Sequence, residues 1–186
     1  MDKLSYERIE LLHPRIREEV KELYTYVNQK VLGKGVRCRL AYTLRTFAEQ
    51  DALFAQGRTK LFDKEGKRLG KVTNARAGQS MHNYGLAFDI VILLDKNNDG
   101  NFEVASWDTR ADFDKDGMSD WMEIVKVFKS KGWVWGGDWD FVDPPHFEKT
   151  YSHTWQLLKK KMDAGKVLKE VINGKQYTWV ALDARP

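Results

Sequence analysis

Ile16, Val20, Leu23, Val27 and Val31 recur at spacings of three and four, the stripe of an amphipathic helix over residues 14–31, with Pro14 in its first turn where a backbone N–H is not needed. From residue 36 the period drops to two. Val36, Cys38, Leu40, Tyr42 and Leu44 fall on one side, predicting a half-buried strand over 36–44 that delivers Arg45 at its end. Thr46 and Glu49 have capping-box spacing, so a helix follows to about Ala55, closed by Gly57. Residues 57–79, rich in Gly, Lys and Arg, keep no period and predict a long loop. Leu86 to Leu94 is apolar except for Asp89, as a central strand would be. Beyond it the pattern predicts a helix over 120–131 stopped by Gly132, strands over 133–135 and 146–150, and a helix over 154–164. A hairpin of 167–172 and 175–182 then turns at Asn173-Gly174. Helices and strands mixed without βαβ alternation argue for an α+β fold, a small antiparallel sheet with flanking helices.

The chain has 186 residues, 42% of them hydrophobic, enough for one full core. One domain over 1–150 and an appendage over 151–186 are expected. The net charge is +4, and residues 151–186 hold seven Lys/Arg against three Asp/Glu, an excess equal to that of the whole chain. Such a tail either draws the protein to anionic polymers or forms a solvated helix face. The charged start Met1-Asp2-Lys3-Leu4-Ser5-Tyr6-Glu7-Arg8 is unlike a signal peptide, and no eighteen consecutive residues are apolar. Synthesis in a cytoplasm without membrane insertion is the expectation. Cys38 is the single cysteine, so a cysteine-rich structural metal site is excluded and a small buried hydrophobe is expected there.

Candidate chemistry lies in Ser80-Met81-His82-Asn83-Tyr84-Gly85-Leu86-Ala87-Phe88-Asp89 and in Asp143-Pro144-Pro145-His146-Phe147-Glu148. Two imidazoles and one carboxylate make the three-ligand set of a catalytic zinc, whose fourth position is left to water, and Asp143 is a further carboxylate. Water acidified by a metal and a carboxylate that moves its proton are the parts of amide hydrolysis. Asp89, alone in an apolar strand, would be costly to bury without a metal or a partner. The competing reading is that the histidines are ordinary polar residues and Asp89 pairs with an arginine.

The pattern Ser-x-His-x-x-Gly-x-Ala-x-Asp followed by Asp-x-x-His resembles the zinc peptidases of bacterial cell-wall peptides: D-alanyl-D-alanine carboxypeptidases, D-Ala-D-Ala dipeptidases and L-alanyl-D-glutamate endopeptidases. Leu44 to Gln50, Leu53 to Thr59 and Gly136-Gly137-Asp138-Trp139 extend it over roughly residues 5–150. The Asp143-x-x-His146 spelling and the Gly-Gly-Asp-Trp segment are similar to the endopeptidase branch found in phage endolysins. The resemblance implies zinc on His82, Asp89 and His146, Asp143 as general base and then acid, and Arg45 at the scissile carbonyl or a substrate carboxylate. Ser80, Gln50 and Trp139 would contact substrate. Peptidoglycan stem peptides are the implied partner, with no nucleic acid, a monomeric enzyme, and release to the wall by a separate, holin-type pore. A carboxypeptidase or dipeptidase of the same family stays open, as does a non-catalytic calcium-dependent wall-binding protein.

A second constellation runs from Asp112 to Glu123. Asp112, Asp114, Asp116, the Met118 carbonyl, Asp120 and Glu123 match EF-hand positions 1, 3, 5, 7, 9 and 12, with Gly117 at position 6. Calcium is therefore expected as a structural or regulatory ion, against a solvated acidic turn. Some endolysins similar to this chain carry calcium in this region. Asp95 to Gly100 repeats the first half of such a loop but has Ser106 where the bidentate carboxylate should be, so a tight turn is expected, its oxygens available to a shared site. Trp133, Trp135 and Trp139 precede the second motif, one or two of them as core. His13 and His153 are expected at the surface.

Overall fold

The structure is a computed structural model that describes residues 2–182. The alternating segment forms β1 (Val36–Tyr42) and the apolar run forms β2 (Ala87–Leu94), paired antiparallel from Val36 opposite Leu94 to Tyr42 opposite Asp89. On its other edge β2 pairs with β3 (Val104–Ser106) near its end and with β5 (His146–Glu148) near its start. β4 (Val134–Trp135) closes the order β1-β2-β5-β4 beyond β5. The fold is α+β with an antiparallel sheet. In the β2–β5 register Asp89 lies opposite His146, so the pairing brings the two motif carriers together.

Contacts group the chain into two compact units, Met1–Thr43 with Ala87–Lys149, and Leu44–Leu86 with Thr150–Pro186. The first unit holds the sheet. Its core stacks Phe88 on Phe147 at 5.4 Å, with Phe128 and Trp133 each 5.0 Å from Phe88. Fully burying one such ring stabilises by about 1.5–3 kcal/mol. α4 (Asp120–Lys129) supplies Phe128 from an apolar face of Trp121, Ile124 and Val125, and Ser119 caps it by accepting from the Met122 N–H. Lys126 and Lys129 in its last turn complement the helix dipole.

The stripe over 14–31 is α2 (Arg17–Tyr26) followed by a π turn over Val27–Val31. Asn28 explains the widening: its amide donates to Tyr24 O and its carbonyl accepts from Cys38 N, both at 2.9 Å. α1 (Lys3–Glu10) has no apolar stripe to betray it. It is fastened by polar groups, with Asp2 accepting from Ser5 Oγ at 2.6 Å and from Arg39 Nε and Nη2 at 2.8 Å each. His13, expected at the surface, is 2% exposed. It sits between Leu12 and Ile16, both fully buried, and its Nδ1 accepts from Arg15 N. The turn that carries it lies over the core, so its polarity misled. Cys38 is buried as expected, and burial raises its thiol pKa.

In the second unit, α3 (Phe47–Ala55) opens with both reciprocal hydrogen bonds of the capping box between Thr46 and Glu49. α5 (Trp155–Asp163) precedes β6 (Val167–Ile172) and β7 (Lys175–Val180). Asn173 at φ 49° and Gly174 at φ 78° make the two-residue turn with both central angles positive. Trp179, Val180 and Leu158 are fully buried. Tyr84 ties α5 to the preceding segment, its hydroxyl donating to Gly78 O at 2.6 Å and to Trp155 O at 3.3 Å.

Candidate metal centre

His82 sits on a single 3-10 turn, Met81–Tyr84, which Ser80 caps by accepting from His82 N at 3.3 Å. Gly85 ends that turn at φ 67°, a conformation that suits glycine. Asn83, 2% exposed, holds the turn in place. Its carbonyl accepts from Gly78 N at 3.0 Å and Ser80 N at 3.4 Å, and its amide donates to Arg45 O at 3.0 Å and Thr46 O at 3.4 Å. Arg45 N also donates to His82 O at 3.0 Å, so Arg45 and His82 are fixed to each other through the backbone. Sequence reading passed over Asn83. Its place between His82 and Tyr84 gave no pattern of its own.

Asp89 and His146 face each other across the β2–β5 pair, with Asp89 Oδ1 at 3.3 Å from His146 Nδ1. Ligand atoms of His82, Asp89 and His146 all lie within 4.8 Å of one another. Zinc bonds of 2.0–2.1 Å in a tetrahedron put neighbouring ligand atoms roughly 3.3 Å apart, so the Asp89–His146 spacing fits a shared zinc. The other ring nitrogen, Nε2, is 3.0 Å from Glu148 Oε2. Burial of the His146 ring works against its charged form, but the hydrogen bonds to Asp89 and Glu148 outweigh it and push the pKa up to about 9. Glu148 thus contacts the His146 ring, a partner missed in the sequence. A carboxylate two residues past a histidine on the same strand face was the available signal.

Asp143 starts the turn that delivers His146, with His146 N donating to Asp143 O at 3.1 Å and Asp143 N to Gly136 O at 2.9 Å. Gly136 is required there, because a Cβ would overlap the Asp143 carbonyl. At Gly137 a Cβ would overlap the Trp135 ring. Trp135 in turn donates from Nε1 to Pro144 O at 2.7 Å. The Gly-Gly segment thus lets the Asp143–His146 turn pack closely. Trp139 lies with its ring 5.0 Å from that of His146, whereas Trp133 is core, its Nε1 donating to Glu19.

Gln50 is fully buried. Its carbonyl accepts from Arg45 Nη1 at 3.0 Å and its amide donates to Ala75 O at 2.7 Å. That places it against the Arg45 side chain. Ser80 uses its hydroxyl as the cap described above.

The acidic loop forms two groups with carboxylate oxygens within 4.8 Å: Asp112, Asp114 and Asp116, and Asp114, Asp120 and Glu123. Asp112 accepts from Lys115 N, Asp116 N and Gly117 N, which folds the chain around its carboxylate. Asp120 is fully buried and Glu123 7% exposed, and among the described residues Asp120 Oδ1 and Glu123 Oε2 have no hydrogen-bond partner. Burial, then neighbouring carboxylates, push their pKa values up to about 6 and about 7. Buried acids with idle oxygens are what a bound cation would relieve. The Met118 side chain is 45% exposed. By contrast Asp95 accepts from Asp99 N and Gly100 N in a tight turn, and among the described residues neither Asp95 nor Asp99 joins a metal-type group.

Residues 73–149 match the family model described as D-alanyl-D-alanine carboxypeptidase. Over 138 residues the chain is 38% identical to the peptidoglycan L-alanyl-D-glutamate endopeptidase CwlK of Bacillus subtilis (strain 168), covering 74% of this chain and 72% of the relative.

Proposed function

The chain belongs to the D-alanyl-D-alanine carboxypeptidase family of peptidoglycan peptidases, whose members are zinc-dependent, and from that premise we propose that it hydrolyses the L-alanyl-D-glutamate bond of peptidoglycan stem peptides. The observation that carries the reading is the trio His82, Asp89 and His146, with Asp89 and His146 at the spacing of zinc ligands and Asp143 on the adjoining turn. The activity of the Bacillus subtilis relative supports the choice of bond.

In this reading His82, Asp89 and His146 would hold zinc, which would supply Lewis-acid chemistry for activating a water at neutral pH. Asp143 takes the proton from the attacking water and hands it to the departing D-glutamate nitrogen. Arg45, steadied by Gln50 and by its backbone bonds to His82 and Asn83, presents its guanidinium to the carbonyl oxygen as charge builds there. Trp139 and Ser80 would contact the peptide. Glu148 holds the His146 ring through Nε2, the outer contact that metal-bound histidines usually make. The enzyme would act as a monomer, with its proposed catalytic residues all within residues 1–150.

Calcium is a second part of the proposal, resting on the idle buried oxygens of Asp120 and Glu123. Asp112, Asp114, Asp116, Asp120, Glu123 and the Met118 carbonyl would hold the ion, and it would order the loop that leads into α4.

The test is mass spectrometry of purified peptidoglycan after digestion. New L-alanine C-termini paired with free D-glutamate amines support the endopeptidase. Release of terminal D-alanine instead moves the chain to the carboxypeptidase reading. Asp143→Ala is expected to retain zinc and lose turnover by roughly 100-fold or more, the usual range for a lost acid–base group.

A further inference from the structure

Residues 57–79 form an excursion that is built at its base. Arg58 donates to Phe54 O at 2.8 Å and to Thr73 O at 3.0 Å, and Ala77 N donates to Asp51 Oδ1 at 2.9 Å. Gly57, at φ +66°, lies so close to the Gly70–Lys71 backbone that a Cβ would overlap it. Beyond that base two strand-like segments pair. Phe62 bridges Arg68 in antiparallel fashion, Leu69 N donates to Leu61 O at 2.8 Å and Asp63 N to Lys67 O at 3.0 Å. The Asp63 carboxylate closes the tip by accepting from Glu65 N and Lys67 N.

This ordered excursion turns large apolar side chains to solvent. Leu61, Phe62 and Val72 are 46%, 56% and 57% exposed, and Lys60, Lys64, Lys67, Arg68 and Lys71 around them are exposed as well. A directly bridged pair shares one face of the ladder, so Phe62 and Arg68 stand side by side. The unit that carries the excursion is basic as a whole. Its described residues, 44–86 and 150–182, hold 14 Lys/Arg and 6 Asp/Glu, whereas residues 1–43 and 87–149 hold 16 and 20. Half of the second unit's excess of eight lies in 150–182, so the basic tail read from sequence is one part of a larger basic unit.

A dissolved polyanion would need the lysines and arginines but would gain nothing from solvent-facing Leu61 and Phe62. An anionic bilayer uses both, because basic side chains meet the headgroup phosphates while apolar ones enter the headgroup boundary. We propose that the 59–72 excursion is a peripheral docking surface for an anionic lipid bilayer, with Leu61 and Phe62 entering the interface and Lys60, Lys64, Lys67, Arg68 and Lys71 held at lipid phosphates. No helix among the described residues is long and apolar enough to span a membrane.

The experiment is co-sedimentation of the full chain with phosphatidylcholine vesicles, with and without phosphatidylglycerol, and a parallel measurement of binding to inorganic polyphosphate. Binding is expected only with phosphatidylglycerol, and it should weaken as salt screens the charges. Leu61→Ser with Phe62→Ser leaves the charge unchanged and is expected to lower vesicle partitioning at least tenfold, about the effect of withdrawing one large apolar side chain from a buried place. Lys64→Glu with Lys67→Glu is expected to lower it by more than about 25-fold, near fivefold for each basic residue lost at such a surface. Both variants should melt like the parent and release the same peptides from soluble stem-peptide substrate. Equal sedimentation with both vesicle types, or a serine variant that partitions like the parent, overturns the proposal. Polyphosphate binding that matches vesicle binding and ignores the serine changes also overturns it, and assigns the patch to an anionic polymer.

Discussion

Removing the Glu148 side chain tests what the partner of a proposed zinc-binding histidine contributes. His146 and Glu148 side chains are 7% and 18% exposed, and Glu148 Oε2 lies 3.0 Å from His146 Nε2. Nδ1, on the other side of the ring, faces Asp89. With Glu148→Ala the ring loses a charge-assisted hydrogen bond worth about 1.5–3 kcal/mol and becomes free to rotate away from Asp89. Zinc affinity is expected to fall roughly 10–100-fold, the range seen when such outer partners are removed. Glu148→Gln keeps an acceptor oxygen at nearly the same place and should recover part of the loss. The assay is competition for zinc against a chromophoric chelator at fixed pH, with the melting temperature of the metal-free protein as a check on folding. If Glu148→Ala binds zinc as tightly as the parent while folding normally, the role given to Glu148 is wrong.

Three further outcomes are expected. Asn83→Ala removes four hydrogen bonds from a buried side chain that joins the His82 turn to Arg45, and should cost about 2–4 kcal/mol of stability in chemical denaturation; it should also lower kcat, while a variant melting like the parent would refute that assignment. Calcium at about 100 times its Kd should stabilise the fold by about 2.7 kcal/mol, raising Tm by roughly 5–10 °C, and Glu123→Gln should abolish the shift; a Tm indifferent to calcium at millimolar concentration would refute the ion site. Burial opposes the ionised Asp2 carboxylate, but Arg39 and Ser5 together hold its pKa below the usual range. Because the folded pKa is depressed, the stabilisation is present above the unfolded carboxylate pKa and is lost as pH falls through the folded one. Asp2→Asn should therefore cost about 1–3 kcal/mol at neutral pH and flatten the acid limb of the stability profile; an unchanged limb would show that Asp2 contributes nothing.

Patterns that depend on near neighbours in the chain were legible without coordinates. The capping box at Thr46 and Glu49, the Asn173-Gly174 turn, and the strand character of Ala87–Leu94 follow from propensity and spacing, and the structure has each in its expected place. The lone Asp89 in an apolar run already called for a partner or a metal, while the proposed zinc ligands came from the resemblance of the two motifs to a known family. Burial of the three Trp residues was only partly legible, since Trp133 and Trp139 lie six residues apart yet one is core and the other stands beside His146. His13 misled for the same reason: polarity is a property of the residue, burial of what folds over it.

What the sequence determined by itself was the fold class, most of the longer elements though not α1, and the motifs proposed to carry metal ligands, because each rests on interactions within a few residues or on chemistry that few residue types can perform. Tertiary structure alone decided the rest. Strand pairing set Asp89 opposite His146 and gave that ring a second carboxylate in Glu148. The folding of residues 44–50 against 73–83 turned Gln50 and Asn83 into supports of Arg45 and His82. The grouping of 44–86 with 150–186 made one basic unit out of two separate stretches. Each joins residues far apart in the chain, and no local period or propensity records which distant segments will share a hydrogen bond or a field.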